Sequence, residues 1–463
     1  MAHRKSIHPP VFSSDEKVPR VHLIGIGGIG MSALARYFKS RKWAVSGSDL
    51  VESRITRELR KEGISVKIGH AKGNIGPKTS FLVYNRAISR DNPELLRARK
   101  LGIPALPYAK VLGDITKRYA TIAITGSHGK STTTALAGLI LANAGLDPTV
   151  LVGTELKEFG GKNIRIGKSA HMVLEADDFG KAFLDYSPAI AVITNIDREH
   201  FDTYPTLAAA KKAFFKFLSR VKNGGVFILN KDDKNLFSLK TQIDKMAKVK
   251  NIYALWHSNH GNTAKKIRRI IKIPGEHNIS NAIAAYKAGR MLGVPHKKIL
   301  EAISKYRGAW RRFEFRGDLK IENRKLKIYD DYAHHPTEIK ATLAAFRATF
   351  PKSKIICVFQ PHQARRLKAL FKEFQSAFGS ADIALIMPVY GVAGRDEAVG
   401  RYDSASLVRA MQKRYPKKPI FYLRDPENLK KALKTLLSPA DRVPVIVMMG
   451  AGDIVRYTDL LLR

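Results

Sequence analysis

One cysteine, Cys357, is all that the 463 residues contain. That excludes an intramolecular disulfide and any cysteine-based metal cluster, and it fits a reducing compartment. Long apolar runs are missing as well, so no segment approaches the roughly 20 residues that a membrane-spanning helix needs. The first twenty residues, MAHRKSIHPPVFSSDEKVPR, lack the apolar core of a secretory signal. Acidic residues are scarce: 40 Asp and Glu face 81 Lys and Arg, a formal charge of +41. Yet there is no basic tail and no RNA-binding signature. The densest clusters, Lys265-Lys266 with Arg268-Arg269 and Arg311-Arg312, are short. The excess reads as a solvated basic surface that also draws polyanions such as nucleotides, rather than as a nucleic-acid footprint. Repeats of fixed period and low-complexity tracts are absent too. Hydrophobic residues at 44% supply several cores, and the length suits about three domains.

What is present is organised around Tyr119 to Leu141, YATIAITGSHGKSTTTALAGLIL. It reads as a buried strand, Thr121 to Thr125, a loop bearing Gly126 and Gly129, and a helix opened by Lys130 and Ser131. A strand that feeds a glycine loop into a helix N-terminus is a phosphate cradle, because loop amides and helix dipole both favour negative charge. Lys130 is placed to reach β- and γ-phosphates and Ser131 to ligate Mg²⁺. The usual pattern wants another glycine five residues before Gly129, where Ile124 stands, so the loop is a shorter variant. A plain strand-to-helix turn is the bland alternative.

Nearer the N-terminus, the strand Val21 to Ile24 leads into Gly25-Ile26-Gly27-Gly28-Ile29-Gly30 and a helix. The strand AVSGSD then ends at Asp49. This spacing holds a pyrophosphate at a helix N-terminus, whether of a dinucleotide or of another diphosphate. Glycines that merely pack a helix on a strand are the alternative. A further strand, FLVYNRAI, and a helix opened by Asn92-Pro93 complete a small doubly wound unit, with a boundary expected between Leu106 and Lys117.

Two more apolar strands follow the phosphate loop. HMVLEADD ends in acids from Glu175 to Asp178, and AIAVITNIDREHFD carries Asn195, Asp197, His200 and Asp202. In a parallel sheet such tips gather at the carboxyl edge. Glu175 suits a hard cation, whereas a His after a strand, such as His200, is by itself more often a loop hydrogen bonder than a ligand. Asp232 to Ile273 is weakly patterned. Beyond it, Asn278 and Asn281 share one helix face, fit either to read an adenine edge or to cap and solvate. After a boundary at Trp310 to Gly317, strand-helix alternation restarts, with polar tips at Asp330-Asp331, His334-His335, Gln360 to Arg366 and Gly450 to Asp453.

Taken together, GIGGIGMSALA, GSD, TGSHGKSTTT, LEADD, TNIDREHFDTY, PGEHNISNA, RRFEFRG, DDYAHHPTE, FQPH and GAGD, in that order, resemble the Mur ligase family and, within it, the L-alanine-adding branch. The resemblance runs from about Val21 to the end. It implies an α/β protein with a polar tail (1–17), an N-terminal Rossmann-like domain for a UDP-sugar (18–110), a central P-loop-type mononucleotide-binding ATPase domain (111–312), and a C-terminal Rossmann-like domain for the amino acid that closes over ATP (313–463).

The implied reaction joins the lactyl carboxylate of UDP-N-acetylmuramate to L-alanine through an acyl phosphate, using ATP and Mg²⁺ in the cytoplasm, by a monomer or homodimer without membrane or nucleic-acid partners. By motif match the sugar nucleotide falls to Gly25, Gly27, Gly28, Ile29, Gly30, Ser48, Asp49, His70 and Asn74. ATP falls to Gly126, Ser127, His128, Gly129, Lys130, Ser131, Thr132, Asn278, Asn281, Arg312 and Asp331. Metal falls to Ser131, Glu175 and His200, and the amino acid to His362, Arg365 and Arg366. Lys130, His200, Arg312 and His334 are the catalytic candidates.

Three departures stand out: Gln363 after FQPH, Asn85-Arg86 after the first-domain strand, and a short stretch from Asp233 to Pro274 expected to be a trimmed hairpin. The rivals are a sister ligase that attaches a preformed peptide, an NAD-dependent oxidoreductase that leaves GSHGKST unexplained, and an inactive basic nucleotide-binding protein.

Overall fold

The computed structural model describes residues 18–321, 324–391, 402–437 and 443–463; the expected tail, 1–17, lies outside them. The chain forms two compact units, Met1–Ile267 with Asn281–Ile303, and Arg268–Ser280 with Ser304–Arg463.

The first unit holds two sheets. One has five parallel strands in the order Ser65–Ile68, Ala44–Asp49, Arg20–Ile24, Phe81–Tyr84, Ala105–Pro107. The sequence reading missed Ser65–Ile68, because SVKI has one buried residue and no apolar run. The order reverses direction beside Arg20–Ile24, so the loops after it and after Phe81–Tyr84 diverge there and open a crevice at the carboxyl edge. The helix Pro93–Lys100 starts as expected: Asn92 caps it through the N–H groups of Glu94 and Leu95, and Pro93 sits where no amide is needed. The stretch from Leu106 to Lys117, where a boundary is expected, is largely the helix Tyr108–Thr116.

The second sheet has seven strands, in the order Tyr253–His257, Val226–Asn230, Ile190–Ile193, Ala120–Thr125, His171–Glu175, Thr149–Leu156, Lys162–Arg165. The last two pair antiparallel at one edge and the rest are parallel. Ala120–Thr125 is central and almost wholly buried, which is why its sequence is apolar without alternation. The weakly patterned stretch is no hairpin. It contains the helices Lys234–Phe237 and Lys240–Val249, the edge strand Tyr253–His257 and the helix Asn262–Ile270. An edge strand with Tyr253 exposed shows little apolar periodicity, which hid it.

The second unit is built on a six-stranded sheet ordered Glu314–Ile321, Arg324–Asp331, Val445–Met449, Ile355–Phe359, Ile383–Ile386, Ile420–Tyr422. Its first pair is antiparallel and the remainder parallel. Pro336 opens the helix Pro336–Thr349, where the His335 ring accepts from Thr337 N–H and Glu338 returns a bond to the cap.

Candidate active site

The loop Gly126 to Gly129 joins the central strand to the helix Lys130–Asn143. Gly126 and Gly129 hold φ values of 139° and 82°, which side-chain-bearing residues adopt only under strain. A Cβ on Gly126 would also collide with Thr194 Oγ1, and one on Gly129 with Asn281 Oδ1. The loop is locked from the neighbouring strand. Asn195 Oδ1 accepts from His128 N–H at 2.8 Å, the Thr194 hydroxyl donates to the His128 carbonyl at 2.6 Å, and the Ser127 hydroxyl accepts from Asp197 N–H at 2.8 Å. The His128 ring meets the Asp197 carboxylate at 3.0 Å.

Lys130 does not project freely from this loop. Its ammonium donates to the carbonyls of Gly126 (2.6 Å) and Ser127 (3.3 Å) and to Asp178 Oδ1 (2.8 Å), a carboxylate that is 1% exposed. Burial alone would lower the lysine pKa. The charges of Asp178, Asp177 and Glu175 outweigh it and push the ammonium above its ordinary range, so it stays charged at physiological pH. Beside it the Ser131 hydroxyl donates to Glu175 Oε1 at 3.0 Å, and Gly153 N–H donates to Glu175 Oε2 at 2.6 Å. Burial raises the Glu175 carboxyl above the usual range despite these bonds.

His200 holds a left-handed φ of 54°, packs on the Phe179 ring, and points Nε2 toward Asp178 Oδ1 at 3.8 Å. Asp177, Asp178 and His200 bring three ligand atoms within 4.8 Å of one another. Ser131 and Glu175 add a hydroxyl and a carboxylate. These are mostly hard oxygen donors, a set that fits Mg²⁺ completed by phosphate and water. Asp177 and Asp178 went unassigned in the sequence reading, although the run LEADD carries the signal: two further acids directly after Glu175. Tyr204 was missed too; its hydroxyl donates to the Asp178 carbonyl at 2.6 Å.

Asn278 and Asn281, expected on the adenine side, lie on one helix, Glu276–Met291. Asn278 Nδ2 donates to the Pro274 carbonyl at 2.7 Å, and Asn281 lies against Gly129.

The other glycine loop is closed by Asp49, whose Oδ2 accepts from Gly27 N–H at 2.8 Å. Ser48, His70 and Asn74 are indeed brought together, but around a residue the sequence reading overlooked. Glu94, wholly buried, accepts from the Ser48 hydroxyl (2.6 Å) and Asn74 Nδ2 (2.5 Å), and His22 Nε2 lies 3.4 Å away. The His70 ring bonds Ser48 at 2.9 Å. Burial would raise the Glu94 carboxyl, yet the bonds from His22, Ser48 and Asn74 hold it below the usual range. The phenol of Tyr108 reaches Gly30: a Cβ there would lie 2.9 Å from its oxygen.

In the second unit, Asp331 is buried and accepts from the N–H groups of Phe313 and Ala333, each at 2.9 Å; burial raises its carboxyl. Arg312 lies over the Tyr332 ring and 3.7 Å from Glu338, which also lies 3.4 Å from the His334 ring. His334 and His362 rings sit 6.0 Å apart. Arg366, buried, donates to the His362 carbonyl at 2.8 Å, and Arg365 is exposed. Gln363 has φ 68° at the start of this short helix, Ala364–Ala369.

A phosphate loop with a lysine-paired acid cluster on one sheet, and a second glycine loop on the other, define a nucleotide-binding α/β protein with two glycine loops at helix N-termini, and comparison with known proteins shows its family. The chain belongs to the Mur ligase family: family models match as the Mur ligase family catalytic domain over residues 20–120, the Mur ligase middle domain over 124–289, and the Mur ligase glutamate ligase domain over 311–452. Among its relatives is the UDP-N-acetylmuramate–L-alanine ligase of Alkaliphilus metalliredigens (strain QYMF), 38% identical over 97% of this chain and 99% of that one. The enzyme of the same name from Sulfurihydrogenibium sp. (strain YO3AOP1) is 36% identical over 96% and 98%. The crystal structure of UDP-N-acetylmuramate–alanine ligase from Thermotoga maritima superimposes with a TM-score of 0.76 at 25% identity, covering 96% of this chain and 98% of that one.

Proposed function

We propose that this protein is an ATP-dependent ligase that joins the lactyl carboxylate of UDP-N-acetylmuramate to L-alanine in peptidoglycan precursor synthesis. The observation that carries it is Lys130, held charged between loop carbonyls and Asp178 beside Ser131 and Glu175, in a chain matched end to end by L-alanine ligases. Of the described residues, no helix is long and apolar enough to cross a membrane.

A carboxylate is a poor electrophile. Transfer of the γ-phosphoryl group from ATP to it gives an acyl phosphate, the amine of L-alanine attacks the acyl carbon, and phosphate leaves as the amide forms. We assign the chain's residues to positioning and charge neutralisation, which dominate phosphoryl transfer. The amides of Gly129 to Thr132 and the Lys130 ammonium take the ATP phosphates, and Asn281 lies against the same loop to meet the nucleotide. Asp178 keeps Lys130 charged and aimed. Ser131 and Glu175, and Asp177 and Asp178 with His200, would hold Mg²⁺, which when bound neutralises phosphate charge as it passes between two anions. The loop Gly25 to Gly30 with Asp49 takes the UDP diphosphate, and Glu94 sets the orientation of Ser48, His70 and Asn74. In the second unit we assign Arg312, Asp331 and His334 to ATP and the reacting carboxylate, and His362 with Arg365 and Arg366 to the amino acid, an arginine being the natural partner of its carboxylate.

Mass spectrometry of the product, with L-alanine and a tripeptide offered together, tests this reading. The mass of UDP-N-acetylmuramoyl-L-alanine is expected; exclusive incorporation of the tripeptide would place the chain with the peptide-attaching sister ligases.

A further inference from the structure

The departure at Asn85-Arg86 is not used by the roles above, and its position is unusual. These residues follow the strand Phe81–Tyr84, which pairs with Arg20–Ile24 at the point where the first sheet reverses its order. Asn85 turns to the sugar-nucleotide loop, where a Cβ on Gly25 would lie 2.9 Å from its Nδ2. Arg86 turns to the other sheet. Its guanidinium lies directly against Gly180, in the left-handed turn (φ 59° at Gly180, 62° at Lys181) that follows Asp178. It also lies within electrostatic reach of the Tyr204 phenol, whose hydroxyl bonds the Asp178 backbone. Two consecutive residues thus span the gap between the diphosphate loop and the acid cluster that pairs with Lys130.

Building on the ligase reading, we propose that Arg86 binds the carboxylate of the sugar-nucleotide substrate and thereby selects a carboxylate-bearing sugar. The diphosphate end of that substrate rests at the Gly25 to Gly30 helix terminus, and its carboxylate must travel to the phosphoryl donor at Lys130. Arg86 stands on that path. It is exposed and makes no ion pair with a described residue. The buried acid two residues before Gly180, Asp178, is already taken by Lys130. A guanidinium offers parallel donors that match a carboxylate fork, a geometry that lysine does not reproduce. A Cβ at position 180 would collide with Arg86 Nη1, so the glycine there leaves the room that the guanidinium occupies.

Calorimetric titration of Arg86→Ala and Arg86→Lys with three probes tests this: UDP-N-acetylmuramate, UDP-N-acetylglucosamine (which lacks the carboxylate) and a non-hydrolysable ATP analogue. Arg86→Ala is expected to weaken UDP-N-acetylmuramate about tenfold or more, to leave the other two within about twofold, and to keep the melting temperature; Arg86→Lys recovers part of the loss. Equal losses for both sugar nucleotides would show that Arg86 holds the diphosphate. A loss confined to the ATP analogue would show that it only props the Asp178 turn. Either result, or no change, overturns the proposal. Should the unaltered protein fail to prefer UDP-N-acetylmuramate over UDP-N-acetylglucosamine, the ligase reading itself falls.

Discussion

Lys130 is both a phosphate ligand and a structural ion. Removing it leaves Asp178 charged and buried without its partner. Lys130→Ala should therefore lower turnover about a thousandfold and also cost about 3 kcal/mol in denaturant unfolding. The double variant Lys130→Ala with Asp178→Asn should regain most of the stability and none of the turnover; equal instability of both variants would sever the pairing argument. Glu175 behaves in the opposite sense. Its carboxyl is raised, chiefly by burial, so it costs stability once the pH exceeds the ordinary glutamate value of 4.5, and the cost is complete above its own folded value. Glu175→Gln should raise the melting temperature by about 2 °C at pH 7.5 and leave it unchanged near pH 4, while impairing Mg²⁺-dependent turnover. A lower melting temperature at pH 7.5 would contradict the sign.

At the scale of the element, the two glycine loops differ in what holds them. The loop Gly126 to Gly129 is held by Thr194 and Asn195 from the adjacent strand, so Gly126→Ala meets both a forbidden φ and the Thr194 hydroxyl. It should abolish ATP-analogue binding measured by calorimetry; retained affinity would mean the loop adapts. In the first sheet Asp49 closes the glycine loop, and the cluster of Ser48, His70 and Asn74 beside it is held by one buried carboxylate, Glu94. Glu94→Ala strips partners from His22, Ser48 and Asn74 and should cost about 3 kcal/mol, with Glu94→Gln milder. Because the Glu94 carboxyl is held low, its stabilisation is present above the ordinary value of 4.5 and is lost as pH falls through the depressed folded value, so an acid melt should show Glu94→Gln converging on the unaltered protein there. Loops of this kind are legible in sequence because glycine, lysine and cap residues must occur at fixed offsets. Glu94 was not legible: PELLRARK reads as an ordinary helix start, and only the fold brings strands from residues 20 to 49 over it. Likewise Asp178, 48 positions further along the chain, is invisible as the Lys130 partner until the chain folds.

Across the whole molecule, the order of motifs carried more than any one of them. Alternating strands and helices with polar tips announced α/β sheets, and the two principal phosphate strands and their helices lie where the pattern put them. Edge elements did not announce themselves. Ser65–Ile68 and Tyr253–His257 bury too little to show a period, and the antiparallel pair Thr149–Leu156 and Lys162–Arg165 sits at a sheet edge. The charge of +41 is spread over the chain without a stripe or tail, as expected of a surface that draws polyanionic substrates. The most direct test of the account is ADP release from ATP, measured with UDP-N-acetylmuramate and L-alanine supplied singly and together. Sustained release is predicted only when both are present with Mg²⁺; release that ignores the sugar nucleotide would contradict it.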